Sequence, residues 1–298
     1  MCGIVGLFSK SENIESRLGA HLSDMLVEMT ERGPDSAGIA VYRTPTDQDH
    51  TKLTVLSPGL DYSWTKVAED LGQHYGGKVS TEVRGNQATY VVPGSEEGIT
   101  AWLHQHHPEL KLISSGSSIE IYKAKGLPSR VIDRFKIREL TGTHALGHTR
   151  MATESAVTTH HSHPFSTGED LCLVHNGSLS NHNRLRRILR KKGIIFHTDN
   201  DSEVAAGYIA SRLQQGDDLD QALEAAIYDL DGFYTFAVGT KDGFAVMRDP
   251  IACKPAIIAE TDEWVAMASE YRAIATLPGA ETAHCWEPLP AKIYSWKH

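Results

Sequence analysis

Three observations in the sequence predict an α+β fold built as a layered sandwich. Segments typical of strands lie at the beginning and the end of the 298 residues, and segments of helical periodicity separate them. Neither G-x-G-x-x-G nor G-x-x-x-x-G-K-[ST] occurs, which argues against a nucleotide-binding doubly wound sheet. No Pro- and Ser-rich linker divides the chain, so we expect one domain over residues 2–298.

The first elements are a strand, a helix and a strand. Apolar residues at 4, 5, 7 and 8 predict a strand directly behind Cys2. Residues 16–31 repeat apolar side chains at helical spacing, and the Gly33-Pro34 pair ends that helix. Residues 37–42 predict the second strand.

Residues from about 44 to 140 differ from the rest of the chain and could form either a subdomain or an elaboration of one sheet. Helices are expected around Trp64 and Trp102, where apolar residues recur every three to four positions. Glycine-containing turns separate the expected strands, which are residues 79–83, 89–92, 110–114 and 119–122.

Strands and helices alternate again from residue 144 onward. A strand at 171–175 precedes three amphipathic helices, at 181–192, 201–214 and 219–229. The chain then becomes rich in predicted strands: 233–238, 244–248, 256–259 and 264–268, with a final pair near Ala283 and Tyr294.

Charge and hydropathy exclude several classes of function. The chain has 29 Lys and Arg against 38 Asp and Glu, a net charge of −9, so no nucleic-acid or anionic-membrane partner is expected. The basic residues between 184 and 192 are interpreted as a solvated or subunit-facing helix surface. No apolar run is long enough to cross a membrane and no signal peptide is visible, so a cytoplasmic location is expected.

The four cysteines and the histidine clusters do not predict a metal site. No C-x-x-C motif occurs among the four cysteines, which are residues 2, 172, 253 and 285. A disulfide framework is not expected in a chain of this kind. The clusters at His160, His161 and His163 and at His104, His106 and His107 lack carboxylates or cysteines at ligand spacing. We therefore expect neither a metal nor a cofactor in this chain.

Cys2 is the first candidate catalytic residue. If Met1 is removed, its thiol and its α-amino group lie on the same terminal residue. The amine has a reference pKa of about 7.7–8.0 and can take the thiol proton directly or through a water molecule. By itself, however, a cysteine at this position is more often a small buried residue of an edge strand.

Further segments carry side chains that suit the same chemistry. Arg150 ends a predicted strand, and its guanidinium can hold a carboxylate in two-pronged fashion. Asn176 and Gly177 end another strand and could supply N–H donors to an oxyanion. Asp201 opens a helix, where its alternative role is that of the N-cap.

Together these segments resemble the class-II glutamine amidotransferases, which are N-terminal-nucleophile hydrolases. The matching pieces, in chain order, are residues 2–6 (CGIVG), 32–38 (RGPDSAG), 147–150 (GHTR), 163–164 (HP), 174–177 (VHNG), 201–203 (DSE), 248–249 (RD) and 269–270 (SE). The resemblance implies a four-layer αββα sandwich with Cys2 at the edge of a central sheet. The match is poorest between about 44 and 140, which the resemblance marks as an enlarged insertion.

The resemblance also implies roles for individual residues. Cys2 matches the nucleophile, and Asn176 and Gly177 match the oxyanion donors. The implied reaction is attack of the thiolate on the glutamine amide, release of ammonia and hydrolysis of a γ-glutamyl thioester.

The remaining matches concern the substrate and its surroundings. Arg150 matches the clamp on the α-carboxylate, and Asp201 matches the carboxylate that receives the α-ammonium. Thr153 and His175 are grouped with the substrate pocket. Two further residues, Arg32 and His163, are expected to support the site.

A narrower resemblance is to the amidotransferase-type subunits of N-methylglutamate synthases. It implies glutamine or glutamate as substrate and glutamate-synthase-like partner subunits, which could carry flavin or an iron–sulfur cluster. Two alternatives stay open. The chain could be an assembly or regulatory subunit with weak glutaminase activity, or a free-standing γ-glutamyl amidohydrolase.

Overall fold

The computed structural model describes residues 2–151 and 157–298. Thr153, an expected pocket residue, therefore lies outside the described residues. Within them, two β-sheets face each other and helices cover both outer surfaces. This arrangement confirms the four-layer αββα sandwich implied by the resemblance.

The strands in chain order are β1 (Gly3–Ser9), β2 (Ser36–Tyr42), β3 (His50–Leu56), β4 (Ser80–Arg84), β5 (Gln87–Pro93), β6 (Lys111–Gly116), β7 (Ile119–Lys125), β8 (His144–Arg150), β9 (Cys172–Leu179), β10 (Gly232–Thr240), β11 (Gly243–Arg248), β12 (Ile257–Glu260), β13 (Trp264–Ala268), β14 (His284–Trp286) and β15 (Ile293–Lys297). The helices are α1 (Glu12–Glu15), α2 (Leu18–Glu28), α3 (Trp64–Tyr75), α4 (Glu96–His106), α5 (Pro128–Phe135), α6 (His182–Lys191), α7 (Asp201–Gln214), α8 (Leu219–Asp229) and α9 (Tyr271–Ile274).

The two sheets of the sandwich differ in size. In the described residues the larger sheet has the order β14-β12-β13-β1-β8-β2-β7, and the smaller has the order β15-β11-β10-β9. Strand β1 shows why its sequence is apolar throughout: Ile4 and Phe8 pack between the sheets, while Val5 and Leu7 pack against the helices. Because both faces are covered, the strand needs apolar residues at successive positions rather than alternation.

The helix layers follow the predicted periodicity except at α2 and at helices α1, α5 and α9, which were not predicted. Helix α2 is shorter than residues 16–31, because the chain passes into a 3-10 turn at Thr30–Arg32 before Gly33. Helix α5 was not predicted, although Pro128 stands at its first turn and Phe135 is fully buried. Along the described parts of the chain, no helix is both long and apolar enough to cross a membrane.

The insertion contains a separate four-stranded sheet. Its order is β4-β5-β3-β6, and α3 and α4 pack on it around a core that includes Trp64 and Trp102. This unit accounts for residues 50–116 of the expected region 44–140. Residues 119–140 belong to the sandwich instead, since β7 pairs with the whole of β2 and Phe135 lies in the core under α2.

Candidate functional site

The register of the larger sheet places the first candidate residues at one end of the sandwich. Gly3 of β1 is opposite Thr149 of β8 in an antiparallel pair, so Cys2 and Arg150 extend from the same end. Ser36 at the beginning of β2 is the register partner of Arg150 on its other side. We call this the catalytic end of the sandwich, and the strand order alone brings residues 2, 36 and 150 to it.

Cys2 is half-buried, and Arg32 fixes its backbone. The Arg32 Nε–H donates to the Cys2 carbonyl over 3.0 Å, and Arg32 Nη1 lies 2.6 Å from a Glu270 carboxylate oxygen. Burial raises the pKa of the Cys2 thiol, although the Met151 backbone and the Arg150 and Arg32 charges act in the opposite direction. The thiol therefore needs a base before it can act as a nucleophile.

Ser269 and Glu270 are residues to which sequence reasoning gave no separate role. The Ser269 Oγ accepts the Ile4 N–H over 2.9 Å, and the Ser269 N–H donates to the Ile4 carbonyl over 2.9 Å. Together with the Glu270–Arg32 pair, these bonds fix the beginning of β1 from the β13 side. The only signal in the sequence was the Ser-Glu pair itself, after a strand.

Two glycines allow the backbone segments near Cys2 to approach closely. A Cβ added to Gly3 would lie 2.7 Å from Thr149 Oγ1. One added to Gly33 would lie 2.4 Å from the carbonyl carbon of Thr149. Any other residue at these positions would push the Arg32 segment or β1 away from β8.

Asn176 and Gly177 lie in the smaller sheet. The prediction that they end a strand is wrong, because β9 continues to Leu179. The Asn176 side chain is buried, and its Nδ2 has no hydrogen-bond partner among the described residues. A Cβ on Gly177 would lie 2.0 Å from the Phe233 carbonyl oxygen, so this position accepts only glycine. A buried, unpaired donor is costly in a folded protein unless a ligand uses it.

A bond between the two sheets brings this donor towards the catalytic end. His148 Nε2 donates to the His175 carbonyl over 3.0 Å, and His148 is the register partner of Ile4. The His175 backbone is therefore held next to the beginning of β1, and Asn176 is the residue that follows it. Burial lowers the pKa of His148 to about 3, so this imidazole is neutral.

His175 and Asp201 form a connected pair. His175 Nδ1 is 2.8 Å from Ser202 Oγ and 3.8 Å from Asp201 Oδ1. Burial lowers the pKa of His175 despite the opposing attraction of Asp201, so His175 is neutral and its buried Nε2 has no partner among the described residues. His175 is thus a buried, neutral neighbour of Asp201.

The alternative in which Asp201 caps its helix is wrong. The N-cap of α7 is Asn200, whose side chain accepts the Ser202 N–H over 2.8 Å. Asp201 instead accepts the Leu179 N–H through Oδ2 over 2.9 Å. Its carboxylate is thereby fixed between β9 and α7 and is only partly exposed.

His163 and Arg150 share a neighbouring segment. Arg150 Nη1 donates to the His161 carbonyl over 3.1 Å. The His163 ring stacks on His148 with 3.9 Å between centroids, and burial lowers its pKa well below the usual value. His163 is therefore a neutral packing residue beside the strand that carries Arg150.

The remaining histidines and basic residues have other surroundings. Among the described residues, no group of three or more His, Cys, Asp and Glu side chains is arranged to hold a metal ion. His106 and His107 line a cleft of about 800 Å³ in the unit of residues 50–116, away from Cys2. The basic residues between 184 and 192 are exposed as predicted, except Arg186, which is buried and whose Nη2 donates to the Asn200 carbonyl over 2.9 Å.

Known proteins that this chain resembles are described as glutamine amidotransferases or as similar to them. The family model described as a glutamine amidotransferase domain matches residues 148–276. The chain is 52% identical to the glutamine amidotransferase-like protein GlxB of Rhizobium meliloti, over 100% of this chain and 99% of that protein. It is 31% identical to a putative glutamine amidotransferase of Methanothermobacter thermautotrophicus, over 99% of each.

Solved structures support the same fold. The glutamine phosphoribosylpyrophosphate amidotransferase of B. subtilis, solved with ADP and GMP, matches with a TM-score of 0.62 at 19% identity. The match covers 99% of this chain and 49% of that one, so this chain spans about half the length of that enzyme. A structure described as the allosteric regulatory enzyme of purine biosynthesis matches with a TM-score of 0.59. These likenesses confirm the predicted N-terminal-nucleophile hydrolase sandwich.

Proposed function

Because the chain belongs to the class-II glutamine amidotransferases, we propose that it hydrolyses the side-chain amide of glutamine through a thioester on Cys2. In this reaction glutamine and water give glutamate and ammonia. We further propose that the ammonia passes to partner subunits of a glutamate-synthase-like complex. Each step below uses residues at the catalytic end of the sandwich.

The first step is activation of Cys2. Removal of Met1 frees the Cys2 α-amine, which takes the Sγ proton. The thiolate then attacks the side-chain carbonyl carbon of glutamine. Because burial raises the pKa of the thiol, an adjacent base that moves the proton during attack suits this site better than a standing thiolate.

The oxyanion formed by this attack needs donors that are already in place. Asn176 Nδ2 and the Gly177 N–H are assigned to it. The α-ammonium of Cys2 then gives its proton to the leaving nitrogen, the C–N bond breaks, and ammonia leaves. Water, deprotonated by the same amine, attacks the thioester and releases glutamate, which restores the thiol.

Substrate recognition is assigned to charged groups on both sheets. Arg150 receives the α-carboxylate of glutamine, and Asp201 receives its α-ammonium. Thr153 is retained as a proposed pocket residue. Arg32 and His163 support the site without touching the substrate.

The observation that carries the proposal is the buried Nδ2 of Asn176, which has no hydrogen-bond partner among the described residues and lies on a strand anchored to the sheet that carries Cys2 and Arg150. A structural asparagine in this position would be expected to satisfy its amide group. An oxyanion donor has to remain free until the tetrahedral intermediate forms.

The partners and the cellular location are proposals of the same kind. GlxB of Rhizobium meliloti is matched over 99% of its length, so that relative leaves little room for an acceptor domain outside the matched region. We propose that the acceptor chemistry lies on separate subunits, with N-methylglutamate synthase as the specific complex and any flavin or iron–sulfur cluster on those subunits. All four cysteines of the chain are described and are free thiols, which favours the reducing cytoplasm.

The test is intact mass and peptide mapping after incubation with 6-diazo-5-oxo-L-norleucine, a glutamine analogue that alkylates the nucleophile. We expect loss of Met1, one adduct on Cys2, and no adduct when glutamine is present in excess. Cys2→Ala should abolish both the adduct and glutamine hydrolysis. Cys253→Ala and Cys285→Ala remove exposed thiols and should change neither.

Each other outcome has a defined meaning. Labelling only in the presence of partner subunits would support the proposal and locate closure of the site in the complex. A processed chain that is unlabelled both alone and in the complex would contradict the proposal and favour an assembly role. Hydrolysis of other γ-glutamyl amides in preference to glutamine would favour a free-standing amidohydrolase.

A further inference from the structure

Lys123 is a buried lysine that the proposed reaction does not use. It lies on β7, opposite Gly38 of β2, and is only 4% exposed. Among the described residues, no carboxylate lies within 4.0 Å of its ammonium. Burying a cation without an ion-pair partner is unfavourable, so this side chain needs an explanation other than packing.

The polar contacts of Lys123 go to a single segment. Its Nζ donates to the Ser162 carbonyl over 2.8 Å and to the Pro164 carbonyl over 3.0 Å. It also faces the Phe165 ring, 4.9 Å from the centroid. Lys123 therefore holds residues 162–165 against the edge of the larger sheet.

Close packing leaves this segment little freedom to shift. A Cβ added to Gly38 would lie 2.1 Å from the His163 carbonyl oxygen and 2.6 Å from Lys123 Cβ. The segment thus crosses directly over β2, and the lysine is adjacent to the crossing point. Removing the two hydrogen bonds would therefore permit only small shifts of the segment at this crossing.

The same segment contacts the proposed carboxylate clamp. Arg150 Nη1 donates to the carbonyl of His161, the residue directly before Ser162. The orientation of the guanidinium therefore depends on where residues 161–165 lie. Two-pronged binding of a carboxylate tolerates little misalignment of the fork.

We propose that Lys123 is a positioning residue that sets the Arg150 guanidinium for the substrate α-carboxylate by holding residues 162–165. This inference rests on the proposed glutaminase function and extends it to substrate selection. Lys123 touches neither the substrate nor Cys2. Its effect is specific to the carboxylate-binding end of the substrate.

The experiment compares two substrates in the full chain, assayed with its partner subunits if activity requires them. Glutamine carries the α-carboxylate, whereas 4-aminobutanamide is glutamine without it. In Lys123→Met we expect the KM for glutamine to rise about tenfold with kcat nearly unchanged, since ground-state and transition-state binding weaken together. The preference for glutamine over 4-aminobutanamide, measured as the ratio of kcat/KM values, should fall by about the same factor.

Lys52→Met is the matched control. Lys52 is also buried, and its Nζ lies 3.4 Å from the carbonyls of Thr44 and Ser118. Unlike Lys123 it pairs with a carboxylate, that of Glu120 at 3.2 Å, and it belongs to the unit of residues 50–116. This control should leave the substrate preference unchanged. Lys123→Gln keeps a neutral N–H donor and should give an intermediate preference, and it replaces Lys123→Met if the latter does not fold.

The two proposals fail in distinguishable ways. Wild-type activity with an unchanged substrate preference in the Lys123 variants would overturn the role of Lys123 and leave the glutaminase function intact. An equal loss on both substrates would show a merely structural role and also overturn it. A wild-type chain that hydrolyses neither substrate, alone or in the complex, would overturn both proposals.

Discussion

The two ends of β7 differ in the partners that surround a buried ionisable side chain. Near the four-stranded unit, the Glu120 carboxylate lies 3.1 Å from Arg43 and 3.2 Å from Lys52, and it accepts a hydrogen bond from the Tyr122 hydroxyl over 2.9 Å. At the other end of the strand, Lys123 Nζ donates hydrogen bonds to two carbonyl oxygens and lies 4.9 Å from the centroid of the Phe165 ring, and no described carboxylate forms an ion pair with it.

Asp170, a second carboxylate near the four-stranded unit, is also surrounded by hydrogen-bond donors. Asp170 accepts hydrogen bonds from the Ser117 and Ser118 N–H and O–H groups and from the Ile119 N–H. Burial alone would raise the pKa of Asp170, but these donors outweigh it and lower that pKa. We call the region around Glu120 and Asp170 the junction, because it attaches the four-stranded unit to the sandwich.

The catalytic end has the opposite character. The Asn176 Nδ2 and both ring nitrogens of His163 are buried without partners in the described part of the chain. Charge compensation at the junction serves stability, whereas uncompensated polar groups at the catalytic end are tolerated for function. Three predictions separate these two roles.

The largest effect is expected at the catalytic end. Asn176→Ala removes a donor assigned to the oxyanion and should lower kcat by about 10²–10³-fold, as loss of such a donor does elsewhere. The free energy of unfolding should change little, since Nδ2 makes no hydrogen bond with the described residues. Steady-state kinetics and denaturant unfolding measure the two quantities.

Asn181→Ala is the control for this variant. Asn181 is partly exposed, and its Nδ2 donates to the Asp229 carbonyl over 2.8 Å near the end of β9. Its kcat should remain close to that of the wild type. A kcat for Asn176→Ala within threefold of the wild type would contradict the assigned role.

At the junction we expect an effect of intermediate size, on the free energy of unfolding rather than on kcat. Asp170→Asn replaces a carboxylate oxygen by an N–H donor that faces the donors of Ser117 and Ser118. The free energy of unfolding should fall by about 3 kcal/mol, because buried donors lose their acceptor. Hydrolysis per folded molecule should be retained.

Denaturant unfolding and activity below the transition test this prediction. Asp231→Asn is the control, since Asp231 is an exposed carboxylate that accepts the Ser180 hydroxyl over 2.6 Å. It should change stability only slightly. A loss of activity in Asp170→Asn without a loss of stability would show that the two regions do not have separate roles.

The smallest effect concerns pH. Burial lowers the pKa of Lys123 to about 7, with Glu203 acting in the opposite direction, while an exposed lysine titrates near 10.4. Between these values the unfolded chain binds more protons than the folded one, so the contribution of Lys123 to stability rises with pH. The slope from one proton is at most about 1.4 kcal/mol per pH unit.

Titratable groups near Lys123 could also contribute to the pH dependence of stability. Glu203, His160 and His163 face the lysine, and burial lowers the pKa of His160 to about 4, so it does not titrate in this window. Lys123→Met should therefore flatten the rise in unfolding free energy between pH 7.5 and 9.5, measured by urea titration at each pH. Parallel curves for the wild type and Lys123→Met would contradict the inferred buried amine.

The sandwich was largely predictable because its strands are buried on both faces. Apolar residues at successive positions of β1 and helical spacing in α2 are local patterns that survive in the tertiary structure. The end of β9 was not predictable from glycine, because Gly177 accommodates the close approach of Phe233 within the strand rather than a turn. Asn200 was missed as a cap because two adjacent residues, Asn200 and Asp201, suit that role equally well.

By itself the sequence determined which chemical groups are present: a cysteine beside an amine that processing can expose, an arginine at a strand end, and an Asn-Gly pair. These follow from residue types and short spacings. Only the tertiary structure decided that Ser269 and Glu270 fix the region around Cys2, that Asn176 Nδ2 has no hydrogen-bond partner in the described part of the chain, and that Lys123 holds the segment next to Arg150. Such relations depend on strand order and register between residues far apart in the chain, and no local pattern encodes them.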